Sequence, residues 1–95
     1  MAIVRDDVIT LVWPLDATQE EKTDVFATIG SVGQREFFSA AQSGFKAEKK
    51  VEIWVDDYSD QPFAIVNGKR YSVYRTFERD DQKIELYLGQ KVGVR

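Results

Sequence analysis

"FAIVNGKRYSVYRTF", residues 63–77, carries the strongest local fold signal in the chain. Asn67 and Gly68 both tolerate positive φ, which a two-residue type I′ hairpin turn requires. The flanking residues are largely β-branched or aromatic, so the stretch predicts two antiparallel strands. Downstream, "ERDDQ" forms another turn and "KIELYL" the last clear strand, with Ile84, Leu86 and Leu88 on one face. A turn from Arg79 to Gln82 places Ile84 opposite Phe77 and Leu88 opposite Val73. A slip of one residue would set the leucines beside Ser72 and Thr76 instead. The preferred register leaves Arg75 on the inner face, as a group that pairs or snorkels at an edge. Tyr74 and Tyr87 then share the other face with Phe63 and Ile65.

Upstream, the pattern is again mostly strand. "VITLVW" (Val8 to Trp13) is rich in β-branched residues and ends at Pro14. The charged stretch Asp16 to Asp24 reads as a loop, with a helical turn at Thr18 to Lys22 as the lesser alternative. "VFATIGSV" (Val25 to Val32) is a second strand, with Val25, Ala27 and Ile29 on one face and Phe26, Thr28 and Gly30 on the other. "FKAEKKVEIWVDD" resumes the β pattern, alternating Val51, Ile53 and Val55 with Glu52 and Trp54. "DYSDQP" (Asp57 to Pro62) is a polar turn.

Between the second and third strands lies "GQREFFSAAQSG", residues 33–44, which reads as a short helix. Ser31 and Gln34 have capping-box spacing, and Gly44 suits the left-handed position that ends a helix. Phe37, Ala40 and Ala41 form one stripe, whereas Arg35, Glu36, Ser39 and Gln42 point elsewhere. Phe38 lies about 100° from Phe37, so the two rings cannot share one narrow seam.

The chain has 95 residues, enough for a single domain spanning 1–95 with a modest core. It contains no cysteine and no histidine, which removes disulfides, thiolate metal sites and the commonest general base. Both sheet faces are partly apolar, so the sheet either closes into a small barrel with an external contact or packs against a neighbour. With no covalent staple, association with other chains is the expected source of extra stability. The net charge of −3 disfavours free binding to nucleic acid or an anionic membrane. No run is long enough to cross a bilayer as a helix. Met1 to Asp7 is short and carries two aspartates, so no signal peptide is expected; the chain is expected to be soluble and to work in a cytoplasm. The C-terminal "GQKVGVR" is expected to be flexible because of Gly89 and Gly93.

Candidate chemistry is sparse. The pairs Asp6–Asp7, Asp56–Asp57 and Asp80–Asp81 fall at strand ends or turns, where aspartate is favoured for backbone reasons. "DDYSD" (Asp56 to Asp60) lacks the glycine and the distal glutamate of an EF-hand loop, and the glycines form no phosphate loop. Lys46, Lys49, Lys50, Lys69 and Arg70 could form a basic patch near Trp54 and Tyr74, so a small-barrel module that binds single-stranded nucleic acid by stacking is the alternative function. Lysines on strand edges also deter edge-to-edge aggregation, which is the plainer explanation.

In order and spacing, Asp24-Val25-Phe26-Ala27, then Gln34 to Gln42, then Asn67 to Val73, resemble the head-tail joining family of tailed bacteriophages, also called head-closure or stopper proteins. "RDDVIT" (Arg5 to Thr10) looks like that family's first strand, and the resemblance spans about Arg5 to Leu88. The short connection between the first two strands and the brief C-terminal tail depart from the pattern. The resemblance implies a mainly β fold, a small antiparallel β-barrel with a short helix inserted between the second and third strands. It implies a homo-oligomeric ring, commonly twelvefold, under the portal or connector of a phage or prophage. Such a ring closes the DNA exit channel after packaging and joins head to tail. Expected partners are portal, connector and tail proteins, with DNA passing through the ring without sequence-specific binding and no membrane. Expected locations are the virion neck and, during assembly, the host cytoplasm; no cofactor, metal or catalytic residue is expected. Phe37 would sit on the barrel, while Arg35, Glu36, Phe38, Gln42, Trp54 and Tyr74 would contact subunits or partners. Ser43, Gly44, Phe45, Lys46, Lys49 and Lys50 would belong to a flexible, channel-facing loop.

Overall fold

The computed structural model describes residues 6–92. They form six antiparallel strands of one sheet and one short helix: β1 (Asp6–Pro14), β2 (Glu20–Gly30), α1 (Gln34–Gln42), β3 (Phe45–Trp54), β4 (Phe63–Val66), β5 (Lys69–Glu78) and β6 (Lys83–Lys91). The strand order is β1-β2-β3-β6-β5-β4, and β4 pairs back onto β1. Strength of pairing is uneven around this circuit. β3 and β6 pair from Phe45↔Lys91 to Trp54↔Lys83, whereas β2 and β3 pair only at Thr28↔Glu52, Ile29↔Val51 and Gly30↔Lys50.

The core lies on the inner face and follows the period-2 rule. Ile9, Leu11, Val51, Ile53, Leu86 and Leu88 are each almost wholly buried there. Burial of a side chain of this size contributes about 1.5–3 kcal/mol. Val25, Ala27, Ala64, Val66 and Tyr71 complete the same cluster from the neighbouring strands.

The hairpin at Asn67–Gly68 forms as its chemistry requires, with φ of 52° and 82° and Val66 paired to Lys69. The β1–β2 connection is shorter than the charge pattern suggests. Asp16 Oδ1 accepts hydrogen bonds from the Thr18 and Gln19 amides, closing a tight turn, and β2 begins at Glu20 rather than Val25. Glu20 to Asp24 are all exposed, so no apolar alternation marks them as strand; pairing with β1 alone orders them. At its other end β2 stops at Gly30, before the expected Val32.

The β5–β6 register agrees with expectation at Val73↔Leu88 and departs from it beyond. Tyr74 is an extra residue, a bulge between Val73 and Arg75, so the next pairs are Arg75↔Tyr87 and Phe77↔Glu85. Each later side chain of β5 therefore changes face. Arg75 moves outside rather than inside, and Phe77 is exposed rather than opposite Ile84.

Helix α1 starts at Gln34 with Gly33 as its N-cap and no side-chain cap, so Ser31 forms no capping box with Gln34. Its C-terminus matches expectation: Gly44 has φ of 85°, and its amide donates to the Ala41 carbonyl. Only Ala40 is buried in the helix; Ala41 is exposed, and Phe37, at 39% exposure, is no plug. The segment expected as a flexible loop is strand from Phe45 onward, paired along its length to β6. Gly89 likewise lies within β6, pressed against the Lys46 carbonyl, and is no hinge; Gly93 and Arg5 lie outside the described residues.

Candidate functional site

The outer face of β5, β6, β3 and β2 is built in rows by the register. One row runs Arg75–Tyr87–Lys50–Gly30, the next Phe77–Glu85–Glu52–Thr28. The third begins Lys83–Trp54 and reaches the β2–β3 opening.

Helix α1 is fastened to the first row. The bulge turns Tyr74 toward the helix, where Tyr74 Oη donates to Glu36 Oε2 at 2.7 Å and Arg75 Nη2 donates to Glu36 Oε1 at 2.5 Å. Phe45, at the start of β3, stacks on Tyr74 with ring centres 5.2 Å apart, and Arg75 lies over Tyr87 at 4.0 Å. Burial opposes charge on Glu36, but the hydrogen bonds from Arg75 and Tyr74 outweigh it and hold the carboxyl below its ordinary range. Burial and the neighbouring Glu36 carboxylate push the Tyr74 hydroxyl up, so it stays a neutral donor. Glu36 is the member that closes this cluster, its side chain 15% exposed.

The second row carries an ion-pair network. Arg79 reaches Glu52 at 3.0 Å and Glu85 at 3.1 Å, and also pairs with Asp81. Tyr87 Oη donates to Glu85 Oε1, and this bond together with Arg79 keeps the Glu85 carboxyl low despite its burial. Arg79 lies in the β5–β6 turn, as the sequence predicts, but its reach to Glu52 on β3 is not legible there. The available signal was Arg79 just before a strand whose outer positions carry Glu85.

The third row borders a cleft. The β2–β3 ladder stops at Thr28↔Glu52, and beyond it a small hollow opens, lined by Phe26, Ala27, Thr28, Glu52, Ile53, Trp54 and Lys83. Phe26 is 69% and Trp54 49% exposed, and Lys83 Nζ lies 4.6 Å from the Trp54 ring centre. Val8, paired with Phe26 on β1, extends the apolar surface. Phe26 was not among the expected contact residues, although the alternation of Val25, Ala27 and Ile29 already set it outward.

The expected contact residues thus separate into two kinds. Arg35, Phe38 and Gln42 are exposed along one helix stripe, and Trp54 is exposed at the cleft. Glu36 and Tyr74 are spent within the chain, holding the helix to the sheet. Of the residues expected to line a channel, Lys46 is exposed and Phe45 is engaged with Tyr74. In the basic patch, Lys69 is paired with Glu48 and Arg70 with Glu20, so two of its five charges already have acidic partners within the chain. Among the described residues, no three His, Cys, Asp or Glu side chains are grouped as metal ligands would be, and no helix is long and apolar enough to cross a membrane.

No protein-family model matches this sequence, and no curated protein is significantly similar to it.

Proposed function

We propose that this chain is a structural neck protein of a tailed phage or prophage. In this reading its sheet acts as a small antiparallel β-barrel with α1 inserted between β2 and β3. Copies dock as a homo-oligomeric ring under the portal or connector, close the DNA exit channel after packaging and join head to tail. The protein works in the virion neck after assembling in the host cytoplasm.

The observation that carries this reading is the mounting of α1. A short helix held by Glu36 and Ala40 on one side, with Phe38 57% exposed on the other, projects an aromatic ring that the monomer leaves uncovered. Phe26, Trp54 and Val8 add further exposed large apolar side chains, which a neighbouring subunit of an assembly would cover.

The test is electron microscopy of particles from the source phage or induced prophage with this reading frame stopped early. Heads that have lost their DNA, beside intact but detached tails, are the expected outcome. Normal tailed, DNA-filled virions would remove the head-closure reading.

A further inference from the structure

Trp13, Leu15, Phe77 and Val92 apart, the exposed large apolar groups fall into a projection and a hollow. The projection is the Arg35–Phe38–Gln42 stripe of α1, residues spaced three and four apart and so on one side of the helix. Phe38 stands about 200° around the helix from Glu36, which faces the sheet. Phe37 supports it edge-on, with ring centres 6.1 Å apart and planes at 70°. The hollow is the cleft between Phe26 and Trp54, backed by Ala27 and Ile53.

Charge matches the two. Arg35, one turn before Phe38, has no ion pair or side-chain hydrogen bond among the described residues, whereas Arg70, Arg75 and Arg79 are all engaged. Asp56 and Asp57 follow Trp54 after the half-buried Val55 on the 3-10 turn Val55–Asp57; both are exposed and have no such partner among the described residues. Arg35 beside the projection is opposite in charge to Asp56 and Asp57, two and three residues beyond Trp54, while the hollow's own cation, Lys83, is held over the Trp54 ring.

One chain cannot join its own two features. Glu36 holds α1 at the row of Arg75, Tyr87 and Lys50, while the cleft lies at Trp54. Four steps along the strand lead from Lys50 to Trp54, on the order of 13 Å, and the Arg79 ion pairs with Glu52 and Glu85 stand between.

We propose that the Arg35–Phe38–Gln42 stripe of one copy docks into the Phe26–Trp54 cleft of a second copy, with Arg35 meeting Asp56 and Asp57. The contact joins two different surfaces, so each copy keeps one of each for the next, and repetition builds a closed ring or an open filament. This deepens the ring-forming part of the proposed function and rests on it for its biological setting.

The chain has no cysteine, which makes the test direct. Arg35→Cys and Asp57→Cys are introduced into one chain, leaving Phe26, Phe38 and Trp54 in place. Concentrated protein is oxidised mildly and run on a non-reducing gel, which traps even transient contacts. The double variant is expected to give a ladder of dimers, trimers and larger species, with the cross-linked fraction per cysteine at least tenfold above that of either single variant. Adding Phe38→Ala should reduce the ladder at least tenfold while the circular dichroism spectrum stays unchanged. Abundant dimers from Arg35→Cys alone would overturn the proposal in favour of a two-fold helix-to-helix contact. Cross-linking of the double variant no stronger than that of the singles would overturn it outright. A ladder combined with normal virions after early termination would keep this interface and remove the neck function. No ladder combined with tailless particles would do the reverse.

Discussion

β3 meets two neighbours, and it treats them differently. With β6 it pairs continuously from Phe45 to Trp54, interrupted only by a register shift between Ala47 and Lys49. With β2 it pairs at Thr28, Ile29 and Gly30 and then parts. The outer side chains show the consequence. Along β6 they are occupied: Glu85 by Arg79 and Tyr87, Tyr87 by Arg75. Where β2 leaves β3, Phe26 and Trp54 stay open to solvent across a gap. Beside β3 the continuing ladder brings side chains close enough to satisfy one another and the ladder that stops leaves Phe26 and Trp54 exposed, although Phe77 stays exposed inside the β5–β6 ladder. The candidate docking surface arises where pairing ends.

The sharpest way to break this comparison is to disturb the continuous side. A Cβ at Gly89 would lie 2.4 Å from the Lys46 carbonyl oxygen, a backbone atom fixed by the β3–β6 ladder. Gly89→Ala should therefore cost about 1–3 kcal/mol, the usual range for overpacking, measured by urea denaturation. A neutral result would mean that this ladder is as yielding as the β2–β3 seam.

A smaller effect tests the fastening of the helix. Glu36→Gln removes the charge from the bonds with Tyr74 and Arg75 and should cost about 1 kcal/mol at neutral pH, given the partial exposure of Arg75. The pH dependence sharpens it. The folded Glu36 carboxyl lies below its ordinary value of 4.5, so its contribution is fully present above that value. It is lost as the pH falls through the depressed folded value, because the unfolded chain takes up the proton first. The stability gap between wild type and Glu36→Gln, followed by thermal denaturation, should close on acidification; a constant gap would remove Glu36 as the cause.

The smallest expected effect falls on the open side. Phe26→Ser should alter stability by no more than about 0.5 kcal/mol, as for other exposed substitutions. A loss above about 2 kcal/mol in the same urea titration would show that the cleft is a structural part of the monomer core.

Much of this could be read from the sequence by itself. Asn67–Gly68 determined a hairpin because both residues accept positive φ at low cost. Alternation determined the core faces of Val25–Ala27, Val51–Ile53 and Ile84–Leu86–Leu88, and Gly44 determined where the helix ends. The helix faces were legible only in part: Arg35, Phe38 and Gln42 lie outward and Ala40 inward, but Glu36 turns to the sheet and Phe37 and Ala41 are exposed, against the expected stripe. The strand from Glu20 to Asp24 was invisible, since side chains that meet solvent on both faces carry no alternation. Only the tertiary structure decided that Tyr74 bulges, and with it the face of Arg75 and Phe77. A bulge is one extra residue whose place depends on which partners are near, here Phe45 and Glu36 from elements far away in the chain. Only the tertiary structure, too, decided where β2 and β3 part, because the end of a ladder depends on how two twisted strands diverge and not on either strand's own residues.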